Sequence, residues 1–237
     1  MHLVCDERQS DSPYIERIWH SRSDYGGSFV SVAEAHAGMV VTKYRGQMFV
    51  TVRGPETRPT PAYCPDDAEF FGIQFKYGTY MPDFPVNMLR DRCDANLPQA
   101  AGQSFWLKGS AWQFPSIENV ETFINWLVRD GLLVHDPLVA GMLKGHPVDT
   151  SLRTAQRRFL QATGLTQTTI LQIKRARSAA TLLKQGRSIL DTVHQAGYAD
   201  QPHMTRSLKH FLGYTPAQLV AQNIREPMSF LFKTEPF

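Results

Sequence analysis

The spacing of apolar residues changes near the middle of this 237-residue chain. Up to about Pro115, short runs alternate apolar and polar residues between Gly and Pro, as in FVSVAEA (29–35), MVVTKYR (39–45) and QMFVTVR (47–53). Such alternation is typical of half-buried β-strands. From IENVETFINWLV (117–128) onward, the apolar residues follow the period of an amphipathic helix. The sequence therefore predicts an α+β fold, with a β-barrel-like or sandwich-like first domain and an all-α second domain.

Turn and cap residues set the boundaries of the predicted elements. Arg45-Gly46, between two alternating runs, predicts a tight hairpin, and the two prolines of Arg58-Pro59-Thr60-Pro61 predict a loop. A strand pair, or one long bent strand, is predicted over 69–81, and Ser116 is the predicted N-cap of the helix at 117–128. The later helices are predicted over 136–145, 151–164, 168–186 and 188–197, with one more inside 197–216. The run Pro216-Ala217-Gln218-Leu219 follows it.

The two halves of the chain differ in charge. Residues 144–237 contain 13 Lys/Arg against 5 Asp/Glu, a net charge of +8. The remaining residues contain 12 basic and 17 acidic side chains, a net charge of −5, so the chain total is +3. A basic half favours binding to a polyanion. We therefore predict a β-rich sensor or association domain at 1–133, a basic helical domain at 134–225 and a tail at 226–237.

The stretch GYADQPHMTRSLKHFLGYTP (197–216) lies in the basic half and reads as one helix between two Gly-Tyr steps. Its apolar residues form a single stripe, which we expect to be buried: Met204, Leu208, Phe211 and Leu212. The opposite face carries amides, hydroxyls and cations without one acid: Gln201, His203, Thr205, Arg206, Lys209 and His210. An acid on such a face would repel a polyanion, so this face suits the polyanion partner that the charge predicts, although charge alone does not identify that polyanion.

Residues 151–219 resemble the paired helix-turn-helix domain of AraC/XylS-type transcription regulators. In the second unit of that pair, the resemblance lies in Ile189, Gly197, Tyr198, Arg206, Lys209, Gly213, Thr215 and Pro216. In the first unit and the connecting helix, it lies in Arg157, Phe159, Gly164, Arg175, Ala179, Leu182 and Leu183. The first half is similar to the β-rich sensor domain of some of these regulators, at Gly54-Pro55, Gly72-Ile73-Gln74-Phe75 and Tyr77-Gly78.

The resemblance implies a sequence-specific transcription regulator that binds the major groove of double-stranded DNA. Because Arg pairs with guanine and Gln with adenine, two helices are expected to read bases. Their base-reading residues are Arg153, Gln156 and Arg157 in the first, and Gln201, Thr205 and Arg206 in the second. Lys209 is expected on a phosphate, and His203 on a phosphate or a base. The long helix at 168–186 is expected to hold the readers about one DNA turn apart.

The same resemblance implies further partners. A small-molecule effector would bind the first domain, a second copy of the chain would form a homodimer, and RNA polymerase would be contacted if the protein is an activator. No cofactor, metal ion or catalytic residue is expected. The charged start MHLVCDERQS does not suit a secretory signal, and no apolar run approaches the roughly 20 residues that span a membrane. We therefore expect a cytoplasmic protein without a membrane partner, and the resemblance implies a bacterial one.

The sequence departs from the family pattern at several positions. Gly145-His146-Pro147-Val148-Asp149 either replaces the full helix that normally precedes the first reader or lengthens the turn, and 136–145 would then serve as the positioning helix. Thr192 stands where an apolar residue is usual, and Val193 where a small Ala is usual. Pro202 occupies a position that often reaches DNA.

Two other functions remain open. One is a β-barrel metalloenzyme with a basic helical tail, for which His20, Glu34 and His36 are the candidate ligands, although the usual pair of close histidines is absent. The other is an architectural DNA binder without an effector. Aromatic residues of the first half suit either the lining of an effector pocket or an ordinary core: Trp19, Phe49, Phe71, Phe75, Trp106 and Trp112.

Overall fold

The computed structural model describes residues 2–221, so the predicted tail at 226–237 lies outside the described residues. The described chain divides into two compact units. The first unit contains the residues up to Gly26, together with 36–55 and 65–167. The second unit contains 27–35, 56–64 and the described residues from Thr168 onward.

Strands precede the helices along the chain, as the change of apolar period predicts. The strands are β1 (His2–Arg8), β2 (Ile15–Tyr25), β3 (Gly27–Ser31), β4 (Gly38–Tyr44), β5 (Gln47–Arg53), β6 (Thr60–Cys64), β7 (Ala68–Phe75), β8 (Thr79–Tyr80), β9 (Ala95–Leu97), β10 (Gln99–Ala100), β11 (Ser104–Leu107), β12 (Ser110–Gln113) and β13 (Val134–His135). The helices are α1 (Val120–Arg129), α2 (Pro137–Leu143), α3 (Leu152–Thr163), α4 (Gln167–Lys184), α5 (Ile189–Gln195), α6 (Gln201–Leu212) and α7 (Pro216–Val220), with 3-10 turns at Val86–Met88 and Arg90–Arg92.

The first unit is built on an antiparallel six-stranded sheet with the order β1-β2-β7-β4-β5-β9. The predicted hairpin between β4 and β5 is confirmed, because Arg45 and Gly46 have φ values of 50° and 75°. Two positive φ values match the right-handed twist of the strands that such a turn connects. Within the predicted segment 69–81, β7 joins this sheet, whereas β8 pairs with β13 in another sheet.

One face of the six-stranded sheet carries the core of the first unit. Rows of paired apolar residues, such as Ile18, Ile73 and Met39, alternate along the strands with rows that point the other way. Helix α1 contributes Val120, Phe123, Ile124 and Leu127 to the same core. The predicted N-cap of α1 was wrong, because the helix begins after Asn119, and Asn119 Oδ1 accepts the N–H of Ser116 at 2.8 Å.

The second unit combines the two-stranded sheet β3-β6 with helices α4 to α7. The loop prediction over 58–61 was wrong at its end, because β6 begins at Thr60 and Pro61 pairs with Val30. Proline is tolerated there because each strand of a two-stranded sheet has an open edge that requires no donor. The strand predicted over 29–35 ends earlier, at Ser31.

The predicted fold class is confirmed, since a β-rich first part is followed by a helical part. Within the described residues the large sheet stays open, with β1 and β9 at its two ends. The predicted boundary at 133/134 does not coincide with the compact units, because α2 and α3 group with the first unit and β3 and β6 with the second. That boundary stays a prediction about independent folding.

Candidate nucleic-acid interface

Helix α6 begins and ends at residues that fix its bounds. The carboxylate of Asp200 accepts the N–H of His203 at 2.6 Å, and Pro202 lies in the first turn, where a missing N–H costs nothing. Gly213 ends the helix in the left-handed conformation with φ 84°, which glycine adopts without strain. The helix therefore starts at Gln201 and ends at Leu212.

The apolar stripe predicted for α6 is confirmed, with Met204, Leu208, Phe211 and Leu212 buried. The other side exposes Gln201, Arg206 and Lys209, while Thr205 and His203 are half-buried. Among residues 2–221, no hydrogen bond or ion pair joins the side chains of Gln201, Thr205, Arg206 or Lys209 to another residue. Long polar side chains without internal partners are available to an external ligand.

Tyr198 fixes the turn between α5 and α6. Its hydroxyl shares a hydrogen bond with Ser207 of α6 at 2.9 Å, and the guanidinium of Arg175 lies 5.5 Å from the ring centroid. The ring of His203 meets the Tyr198 ring edge-on, with the centroids 5.1 Å apart. Burial raises the pKa of Tyr198, so its hydroxyl stays protonated near neutral pH. These contacts orient α6 and limit the freedom of His203.

Helix α3 has the same design as α6, with 12 residues in each. Ser151 is the N-cap and accepts the N–H of Thr154 at 3.2 Å, and Gly164 ends the helix with φ 68°. Ala155 and Phe159 are buried and form the apolar side of α3. The structure exposes all three predicted base-reading residues, and none forms a hydrogen bond or ion pair with a described residue: Arg153, Gln156 and Arg157.

An ion pair that the sequence did not suggest joins α3 to α2. Arg158 donates to both carboxylate oxygens of Asp136, at 2.9 and 2.7 Å, and this pairing raises the pKa of Arg158. Asp136 is also the N-cap of α2, where it accepts the N–H of Leu138. No local pattern in the sequence indicates that Arg158 is the partner of Asp136. The expectation that α2 serves as the positioning helix of the first reader stays a prediction.

The unusual residues of α5 are accommodated without strain. Thr192 is fully buried, and its hydroxyl donates to the carbonyl of Ser188 at 2.8 Å. Because this bond satisfies the hydroxyl inside the helix, Thr192 occupies an apolar position at low cost. Val193 is also buried. Pro202 is exposed at the start of α6.

The two predicted reading helices lie in different compact units, α3 in the first and α6 in the second. Each helix brings its own predicted residues onto one exposed surface, but the predicted separation of about one DNA turn stays a prediction.

The other candidate sites of the first half have structural contacts. Glu34 pairs with Arg177, and the ring of His36 stacks on Tyr77. Within residues 2–221, no group of three His, Cys, Asp or Glu residues is placed to hold a metal ion. Among the aromatic residues, Phe71 and Phe75 belong to the core, Trp112 packs against it, and Phe49 and Trp106 are exposed.

In the described part of the chain, no helix has the length and apolar character needed to cross a membrane.

Comparison with known proteins gives one family match, one structural neighbour and no curated relative. The family described as "Helix-turn-helix domain" matches residues 147–222. The structure of ToxT from Vibrio cholerae covers 93% of this chain and 97% of its own, with 9% sequence identity and a TM-score of 0.37. A similarity this low carries no argument about fold or function. No curated protein matches the chain.

The family match covers both capped helices, the helix α4 that links them and the turn that holds Tyr198. It points to a DNA-binding transcription regulator rather than to an enzyme. Residues 147–222 are a helix-turn-helix domain of the AraC type.

Proposed function

We propose that the protein is a sequence-specific transcription regulator that places α3 and α6 in the major groove of double-stranded DNA. One observation carries this proposal. Two capped helices of equal length expose Arg, Gln and Lys side chains that have no partner among residues 2–221. The basic charge of residues 144–237 supplies the attraction to phosphates.

The exposed side chains fit different parts of a duplex. Arg157 and Arg206 occupy the sixth position of their helices and suit the two acceptors of guanine. Gln156 and Gln201 suit adenine, Thr205 suits a base edge or a thymine methyl group, and Arg153 suits a further guanine. Lys209 is the ninth residue of α6 and His203 is the third. Both suit phosphates at the groove edge.

The first half of the chain supplies the proposed regulation, with a small-molecule effector bound at the face of the large sheet opposite the core. Trp19, Gly72 and Val40 form one row of this face, and the Trp19 ring lies so close to Gly72 that no Cβ fits there. The neighbouring row holds Arg17, whose guanidinium pairs with Gln74 and Glu7. Partly exposed apolar side chains beside a few fixed polar groups favour a small organic ligand.

The remaining partners belong to the same proposal. Residues 1–133 would form the sensor or association domain and 134–225 the DNA-binding domain. A homodimer would bind two DNA sites, one for each copy of the chain. The protein would contact RNA polymerase if it activates transcription.

Selection from a pool of random duplexes with the full chain tests DNA binding. We expect one enriched sequence, with log affinity falling by about 0.9 per neutralised phosphate for each unit of log salt. The control is the double variant Arg157→Ala and Arg206→Ala, which keeps most of the basic charge but should enrich no sequence. Equal enrichment by both proteins, or an affinity independent of salt, would contradict the proposal.

A further inference from the structure

The compact unit that contains α6 includes two segments from the first half of the chain. Residues 27–35 and 56–64 pair as β3 and β6, and a backbone bridge joins Glu34 to Glu56 through two hydrogen bonds of 2.9 and 2.8 Å. The helices of this unit therefore do not form it alone. We call residues 27–35 and 56–64 the hairpin segment.

Ala33 of the hairpin segment contacts two helices with its backbone. Its N–H donates to the carbonyl of Phe211 at 2.9 Å, and its carbonyl accepts a hydrogen bond from Arg177 Nη1 at 3.1 Å. Phe211 lies in the last turn of α6, where carbonyls lack partners inside the helix. Ala33 thus provides a hydrogen-bond donor to one carbonyl in the last turn of α6 and joins that turn to Arg177 of α4.

Glu34, the neighbour of Ala33, forms an ion pair of low solvent exposure with Arg177 of α4. Arg177 Nη1 lies 3.1 Å from Glu34 Oε2, and the two side chains are only 11% and 14% exposed. Removing one partner of a buried pair leaves an uncompensated charge, so the pair strongly constrains the arrangement of its elements. Arg177 is therefore committed to contacts inside the protein, unlike Arg206, which has none with a described residue.

The hairpin segment is itself held by a buried carboxylate. Glu56 is 4% exposed, and its two oxygens accept hydrogen bonds from Ser31 at 3.0 Å and from Thr60 at 3.3 Å. These bonds join the two strands beside the bridge that carries Glu34. Because both strands of the hairpin segment are fixed, Ala33 is held in place, and its contact with Phe211 constrains the end of α6.

We propose that Glu34 and Arg177 are positioning residues for base reading by α6. They fix the C-terminal end of α6 through Ala33, and thereby the direction in which its N-terminal side chains enter the groove. The inference rests on the proposed function. It also connects the first half of the chain to the reader covalently, because residues 27–35 lie between β2 and β4 along the chain and residues 56–64 lie between β5 and β7.

The test uses the full chain and a panel of duplexes in which one base pair of the selected site is changed at a time. Arg206→Ala and Arg157→Ala first identify the base pairs read by α6 and by α3. Glu34→Gln should then reduce discrimination about tenfold at the α6 base pairs, because a misplaced reader loses most of the contact that separates right from wrong bases. Discrimination at the α3 base pairs should remain as in the wild type.

Further variants distinguish a positioning role of this pair from a general loss of charge or of folding. Glu69→Gln is the matched control, because it removes a carboxylate from an exposed pair with Lys43 and should change no duplex affinity. Glu34→Gln combined with Arg177→Gln removes both charges and should discriminate no worse than Glu34→Gln alone, because the two residues act as one pair. If Glu34→Gln fails to fold, Arg177→Lys keeps the charge but loses the planar group that serves both contacts.

Three results would overturn the inference: an equal loss on every duplex, no change in discrimination, or tighter binding by Glu34→Gln. Tighter binding would mean that the pair holds α6 away from DNA. Failure of the proposed function is distinguishable, because the wild-type protein would then show no preferred sequence before any variant is made.

Discussion

Helices α3 and α6 share their length and both end signals but are anchored by different chemistry. Each has 12 residues, a capping side chain before it and a left-handed glycine after it. The seventh position of each helix carries the anchor. In α3 it is Arg158, which pairs with Asp136, and in α6 it is Ser207, which bonds to the hydroxyl of Tyr198.

The difference indicates how each helix responds to its surroundings. The Arg158 side chain is 43% exposed, so salt screens its attraction to Asp136. The anchors of α6 are a hydroxyl pair at a buried ring and the backbone of Ala33, which ionic strength affects little. The placement of α3 should therefore depend on salt, and that of α6 should not.

The largest expected effect comes from opening the two buried stripes. Phe159→Ala should lower the free energy of unfolding by about 3–5 kcal/mol, and Met204→Ala by about 2–5 kcal/mol, because each leaves a cavity in packed surroundings. Calorimetry should show the first change in the transition of the first unit and the second in that of the second unit. A single unfolding transition that both substitutions shift would contradict the idea that α3 and α6 are anchored separately. Leu160→Ala, at an exposed position, is the control and should cost within about 0.5 kcal/mol.

Base reading gives the next largest effect. Arg157→Ala and Arg206→Ala should each cost about 1–3 kcal/mol of binding and relax preference at one base pair, because each removes one bidentate contact. Melting temperatures should hardly change, since neither side chain has an internal partner among the described residues. Arg187→Ala, an exposed change of equal charge, is the control. If either reader variant unfolds its unit yet keeps the wild-type preference, that polar face is structural.

The effects of removing the two anchors should differ in their dependence on salt. Tyr198→Phe removes the hydroxyl bond to Ser207 and should cost about 0.5–1.5 kcal/mol of stability at any ionic strength. Asp136→Asn keeps a capping side chain but removes the charge, so its effect on discrimination by α3 should vanish in high salt. Equilibrium unfolding and duplex titrations at low and high salt check both. A salt-dependent Tyr198→Phe, or a salt-independent Asp136→Asn, would reverse the comparison.

Local sequence information was enough to predict most of helices α3 and α6. The period of Met204 and Leu208, the glycine after each helix and the exposed Arg and Gln positions follow from spacing along a few turns. The α+β class follows from the change of period. These features depend on neighbours in sequence, which a pattern records directly.

The missed features depend on partners far apart in the chain. Arg177 contacts the carbonyl of Ala33 across 144 residues, and Arg158 meets Asp136 from another helix. Local patterns do not specify which acid a given arginine meets. The loop predicted at Pro61 failed for a related reason, because the open edge that tolerates a proline depends on how many strands join the sheet.

The smallest expected effect concerns the ninth position of each helix, where α6 has Lys209 and α3 has an exposed Leu160. If this position faces a phosphate, Lys209→Leu should reduce the slope of log affinity against log salt by about 0.9, and Leu160→Lys should increase it by about 0.9. Both changes should act equally on matched and mismatched duplexes, because phosphates carry no sequence information. Titrations of both duplexes at several salt concentrations measure the two slopes.

A Lys209→Leu protein that loses preference at one base pair would make Lys209 a base reader. An unchanged slope for Leu160→Lys would mean that α3 does not approach DNA in the way α6 does.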